Sequence, residues 1–194
     1  MKRSYLIAIF IGFMATALTG YAAIKAGIIP VALVNQSFID ARDFTESVAS
    51  IEHYYQEIAR QAKEKNKENE LSSLEIERAT LDKLIENELI RVELEKRIVK
   101  EEIQSLVSKK IGALEEVKTP QFGGAVMALY GISADRFREL VLEPKAREEI
   151  FAESLEDEDN DFDSAIQSLR DRAKVRILVP GLHWEDAGVI VRGR

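Results

Sequence analysis

The chain has 194 residues, 27 Lys and Arg against 34 Asp and Glu, a net charge of −7 and no cysteine. The length suits one soluble domain plus an anchor. The acidic balance argues against a general nucleic-acid binder, whose phosphate contacts need clustered cations, and the missing cysteines exclude disulfides, thiolate nucleophiles and cysteine-held metals.

Lys2 and Arg3 precede a charge-free run from Tyr5 to Ile24. As a helix this run spans about 30 Å, the thickness of a bilayer's hydrocarbon core. The basic start predicts a cytoplasmic N-terminus with the rest of the chain outside. Residues 1–27 are therefore expected to be a single-pass anchor in the cell membrane, in contact with lipid. The rival reading is a signal peptide cleaved after the small residues Ala15-Thr16-Ala17. Residues 28–184 are expected to form the domain, and 185–194 a tail in which Val189 to Val191 is a weak β run.

Val31 to Val34 is apolar and β-branched, as a buried strand requires. Asn35-Gln36 falls where a tight turn belongs, and Ser37-Phe38-Ile39 is placed to return antiparallel. Asp40 is placed to cap a helix carrying the stripe Phe44, Val48, Ile51, Tyr55 and Ile58. Lys63 to Glu70, KEKNKENE, is a solvated helix end or loop. Ser72 and Glu75 stand in capping-box spacing before a second long helix. Its predicted core face is Ile76, Ala79, Leu84, Leu89 and Val92, with Leu81, Ile85 and Leu94 alongside.

The helical period continues through Ile98, Ile103, Val107 and Ile111, as one helix or two. A sustained heptad is absent, which favours a globular helical domain over a coiled-coil scaffold. Thr119-Pro120 predicts a fresh helix start, and Ser133 another. Pro144 predicts a kink or break near Glu143. The acidic stretch 153–163 is expected to be a loop, followed by a short helix over Ser164 to Ala173. Val175, Ile177 and Val179 alternate with Arg176 and Leu178 as in a strand.

Dedicated chemistry is not evident. Asp157, Asp159, Asp161 and Asp163 alternate as in a calcium loop, but Phe162 stands in place of the glycine and Ser168 in place of the bidentate Glu. A solvated acidic linker is the expectation. His53 and His183 have no neighbouring nucleophile or second strong ligand, and no phosphate loop is present. No cofactor, metal or catalytic residue is expected.

The short strand before the helices and the late strand KVRILVP, Lys174 to Pro180, give an arrangement that resembles the N-terminal chaperone domain of the SurA and PpiD folding factors. The resemblance spans Val31 to Trp184. LDKLIENELIRVELEKR, Leu81 to Arg97, and YGISADRFRELVLEPKAREEI, Tyr130 to Ile150, are similar to helices of that family. Gln36 departs from the glycine common at the family's first turn. The resemblance implies a mainly α fold in which an early and a late strand pair. It also implies a chaperone module that holds unfolded or newly secreted polypeptides outside the membrane. Full-length relatives commonly insert a parvulin-type prolyl isomerase domain before the closing strand, and the space between Phe151 and Ala173 is too short for one. A membrane-tethered scaffold for a dedicated partner and a degenerate isomerase are the alternatives. Candidate peptide-binding residues are Phe122, Met127, Tyr130 and Phe137, an aromatic and Met cluster around two turns. The same side chains are equally suited to closing the helical core.

Overall fold

The computed structural model describes residues 29–62, 72–114, 119–155 and 161–192. The expected anchor, the KEKNKENE segment and Asp157 and Asp159 lie outside the described residues. Among the described residues no helix is long and apolar enough to cross a membrane.

The fold is mainly helical, with two small antiparallel sheets. Strands β1 (Ala32–Val34) and β2 (Ser37–Ile39) form a hairpin in which Val34 faces Ser37. Asn35 takes the left-handed backbone at φ 55°, and Gln36 does not need it. The missing glycine is thus no obstacle. Asn35 also ties the turn to the end of the domain. Its N–H donates to the Lys174 carbonyl at 2.8 Å, and its Oδ1 accepts from the Lys174 N–H at 2.9 Å. Strand β3 (Val175–Ile177) then pairs antiparallel with β1, Val34 facing Val175, which is the predicted return. Ala32, Val34 and Ile39 point into the core, while Phe38 stands on the outer face and is exposed.

Helix α1 (Ala41–Ala62) starts where the Arg42 N–H donates to Asp40 Oδ1. Helix α2 (Ser73–Arg97) starts where Ser72 Oγ accepts from the Glu75 N–H. Only half of the predicted capping box forms, because the Glu75 carboxylate pairs with Arg78 instead. Ile98 and Val99 are extended, so the following segment is a separate helix, α3 (Lys100–Ala113). Helix α4 (Pro120–Tyr130) is capped by Thr119, and α5 (Ala134–Phe137) by Ser133, as predicted. Pro144 produces no break. A π-helical turn over Arg138–Leu142 absorbs it, with the Glu143 N–H reaching back to the Arg138 carbonyl, and α6 (Glu143–Glu153) follows directly. The wider turn accommodates the ring without the clash that a regular helix would impose.

Helix α7 (Phe162–Arg172) begins earlier than the expected Ser164. Asp161 caps it, accepting from the Ser164 N–H, and Asp163 suits its positive end. Two of the four alternating aspartates therefore serve a helix start. The weak β run of the expected tail is a strand. Strand β5 (Gly188–Val191) pairs with β4 (Leu182–Glu185) and buries Val189 beside α2. The turn uses positive φ at Asp186 and Ala187, where no glycine signals it.

The core centres on α2. Leu81, Ile85, Leu89, Ile90 and Leu94 meet Ile103, Val107 and Ile111 of α3, Ile150 and Phe151 of α6, Leu169 of α7 and the inner side of β1. Arg170 fixes α7 and the hairpin to α2. It donates to Asp82 at 2.9 and 3.0 Å, to Glu86 at 2.8 Å and to the Ala187 carbonyl at 3.0 Å, while Asp82 also accepts the Val189 N–H at 3.0 Å. Arg170 is mostly buried, so removing it leaves two carboxylates short of a partner. Arg170→Ala is expected to lower unfolding free energy by about 2–4 kcal/mol. Urea denaturation followed by far-UV circular dichroism checks this.

Candidate functional site

The two long helices leave the core partway along their lengths. On α1, Phe44 is buried and Val48 packs on the core, but the same stripe continues into Ile51, then Tyr55 at 48% exposure and Ile58. On α2 the predicted core face is the wrong one in part. Leu81, Ile85 and Leu94, expected only alongside, are fully buried together with Ile90, while Ala79 is exposed and Leu84 is half-buried. Ala79 and Leu84 face the outward stripe of α1 instead. Between them lies a mainly apolar cleft of roughly 290 Å³, floored by Ile51, Tyr55, Ile76 and Leu84. Leu140 and Val141 of the π-helical turn and Ile132 complete it. The extra residue of a π turn shifts side-chain register, and these two consecutive residues both line the cleft.

Polar side chains sit within this apolar lining. Ser47, Ser50, Thr80, Lys83 and Asn87 all border the cleft. Thr80 is 5% exposed, and neither its Oγ1 nor Asn87 Oδ1 has a hydrogen-bond partner among the described residues. Lys83 is held by Glu86 at 2.6 Å and Glu148 at 3.0 Å.

The four residues nominated from sequence take different places. Phe122, Tyr130 and Phe137 come together. Phe137 contacts the ring of Phe122 at 5.9 Å between centroids and that of Tyr130 at 4.9 Å, and Tyr130 stacks on Tyr54 of α1 at 5.2 Å. Phe137 is buried. Met127 is the one that projects to solvent, at 51% exposure. Val126 and Phe137 are buried yet lie outside the contiguous main core. The aromatic group is a satellite cluster that docks α4 and α5 on the middle of α1. Tyr130 is the nominated residue that also lines the cleft.

Three further contacts fix that docking. His53 Nε2–H donates to the Ala128 carbonyl at 3.2 Å. Gly131 ends α4 at φ 68°, and a Cβ there would lie 3.2 Å from the His53 ring. Arg136 of α5 donates to Asp43 at 2.7 Å and Glu46 at 2.6 Å on α1, and to Glu139. Among the described residues no group of three or more His, Asp or Glu is arranged to hold a metal ion.

The hydrogen bond from Arg42, opposed by partial burial and reinforced by Arg136, holds the Glu46 carboxyl below its ordinary value of 4.5. Its folded pKa is thus below its unfolded one. The stability it contributes is full above the unfolded value and is lost as pH falls through the folded one. Glu46→Gln is expected to flatten the loss of thermal stability below about pH 4.5, where unfolded Glu takes up its proton. Melting temperatures of both proteins from pH 7 to 3 measure this.

A family model described as the SurA-like N-terminal domain matches residues 1–158. No curated protein and no solved structure matches the chain. The matched span takes in the helices through α6, and the return strand β3 lies beyond it. The family is of chaperone type, and this N-terminal domain is its non-catalytic chaperone part. Over most of its length, the chain belongs to the SurA-like N-terminal domain family.

Proposed function

We propose that this protein is a membrane-anchored, extracytoplasmic chaperone module that holds unfolded or newly secreted polypeptides without isomerising them. One observation carries the reading: a member of a chaperone-type family keeps an apolar cleft open between the two longest of its described helices. Soluble domains ordinarily cover such surface, and where it persists it marks a place for a partner.

The size of the cleft supports transient holding. Two or three client side chains buried there contribute roughly 1.5–3 kcal/mol each. Ordering an unfolded segment costs about 2–5 kcal/mol. The difference falls short of the roughly 8 kcal/mol of micromolar binding, so each client is held briefly. Adaptable apolar contacts without a directional code accept many sequences. The charge-free run Tyr5 to Ile24 behind Lys2 and Arg3 supports a single-pass anchor with the domain outside. Such an anchor concentrates weak sites where secreted chains emerge. The absence of room for an isomerase domain between Phe151 and Ala173 supports holding alone.

The full chain in lipid nanodiscs is expected to suppress aggregation of an unfolded outer-membrane protein, followed by light scattering, at a several-fold molar excess. It is expected to leave the rate of proline isomerisation in a test peptide unchanged. Unaltered scattering at several-fold excess would contradict general holding and favour a dedicated protein partner.

A further inference from the structure

We propose that the outer face of the β2–β1–β3 sheet docks on the bilayer that the anchor crosses, Phe38 entering the interface and Lys174 and Arg176 meeting anionic headgroups. The proposal rests on the anchored part of the reading above and adds a second membrane contact, made by the folded domain.

Strand register builds the face. Phe38 stands opposite Leu33 and Leu33 opposite Arg176, so the three form one row across the sheet. Lys174 lies two residues before Arg176, on the same side, and its backbone is held against Asn35. The other side of the sheet is the one that buries Ala32, Val34 and Ile39 in the core. Phe38 is 65% exposed, more than any other large apolar side chain among the described residues. It also sits on an edge strand. Edges are ordinarily protected by charge or by a cover, and an exposed aromatic there invites pairing with other chains. Strand β2 therefore calls for a cover.

Charge points to the kind of cover. Most lysines and arginines among the described residues are held in ion pairs, whereas the side chains of Lys174 and Arg176 make none with those residues. The carboxylates nearby are already engaged. Asp40 accepts from the Arg42 N–H, and Glu88 and Glu95 pair with Arg91, which also donates to Ser37 Oγ. The chain carries a net charge of −7, and a protein of that sign approaches an anionic surface through a face that keeps free cations. An apolar aromatic flanked by basic side chains is the composition of an interfacial contact.

Chain length points to the same cover. Six residues, Lys25 to Pro30, separate the charge-free run from Val31, and six residues span at most about 20 Å. A domain of this size is roughly 35 Å across, so the sheet lies on its membrane side. A soluble partner would have to enter that narrow gap.

The chain has no cysteine, so Gln36→Cys, at an exposed turn position two residues before Phe38, accepts a single environment-sensitive dye. Labelled full-length protein would be reconstituted at one copy per nanodisc, in neutral lipid or in lipid with anionic headgroups. Each disc would be prepared with and without a lipid carrying a nitroxide on its headgroup as quencher. Nitroxide quenching is expected in the anionic discs and is expected to fall as salt is added. Phe38→Ser is expected to lower the docked-to-free ratio about tenfold. Its melting temperature is expected to stay near the parent's, because the side chain is exposed. Lys174→Gln and Arg176→Gln are each expected to lower the ratio about fivefold. Lys100→Gln combined with Lys109→Gln, which removes charge from α3 instead, is expected to leave it unchanged.

A chain that elutes with the discs, yet whose dye is quenched no more in anionic than in neutral lipid, would overturn the docking and leave the anchored chaperone standing. A chain that does not elute with the discs would overturn anchor and docking together. Equal loss of quenching in the Lys100 and Lys109 double variant would reduce the effect to net charge and overturn the assignment to this face. A dye response that needs two copies per disc and ignores the nitroxide lipid would assign the face to a second copy and overturn the proposal.

Discussion

Val34 pairs with Val175, and through that pairing the far end of the chain is brought back to its first strand. The loop closed is long, and closing it costs entropy before any contact repays it. Asn35 helps to offset the cost. It makes the β1–β2 turn and takes both backbone groups of Lys174 in the same place. With β1 fixed between β2 and β3, Asp40 and hence the start of α1 are fixed as well. The middle of α1 is held separately, by Tyr54 on Tyr130 and by His53 on Ala128. The face of that stretch that carries Ser47, Ile51 and Tyr55 is left beside α2 without being sealed to it, and the cleft lies there.

Helix α2 serves two surfaces. Leu81, Ile85 and Leu94 belong to the core, and Thr80, Leu84 and Asn87 to the cleft. A helix that is apolar over so much of its circumference must bury more than one side. The domain buries one side itself. The charged network around Arg170 has a different part. It satisfies Asp82, the Val189 amide and the Ala187 carbonyl together, so the last hairpin is fixed to α2 by directional bonds as well as by Leu182 and Val189.

Much of this architecture was legible from residue order. Thr119, Ser133, Asp40 and Ser72 announced helix starts because capping is a local interaction, decided by a side chain and an amide three residues away. The pairing of an early with a late strand was legible through family pattern. Other features were hidden for physical reasons. Pro144 removes an N–H, and whether a helix breaks or widens into a π turn depends on tertiary packing. Asp186-Ala187 carries no glycine, so the β4–β5 turn gave no turn signal. The aromatic cluster of Phe122, Tyr130 and Phe137 was correctly grouped, yet exposure cannot be read from residue type, and Phe137 is buried where Met127 is not. The cleft was missed because Ile51, Tyr55 and Leu84 have the period of core residues. Its trace in the sequence is a surplus: α2 carries two overlapping apolar stripes, and one core needs only one.

Photocrosslinking tests the central claim most directly, since it reports where a client lies without altering the cleft's polar atoms. A benzophenone amino acid would replace Val141 at the cleft, or Met127 on the exposed side of α4, in the full chain in nanodiscs. An unfolded outer-membrane protein would be added and irradiated. Efficient crosslinks are expected from position 141, competed away by unlabelled client, and few from position 127. Crosslinks from 127 that outnumber those from 141, or crosslinks from 141 that unlabelled client does not reduce, would place the client outside the cleft.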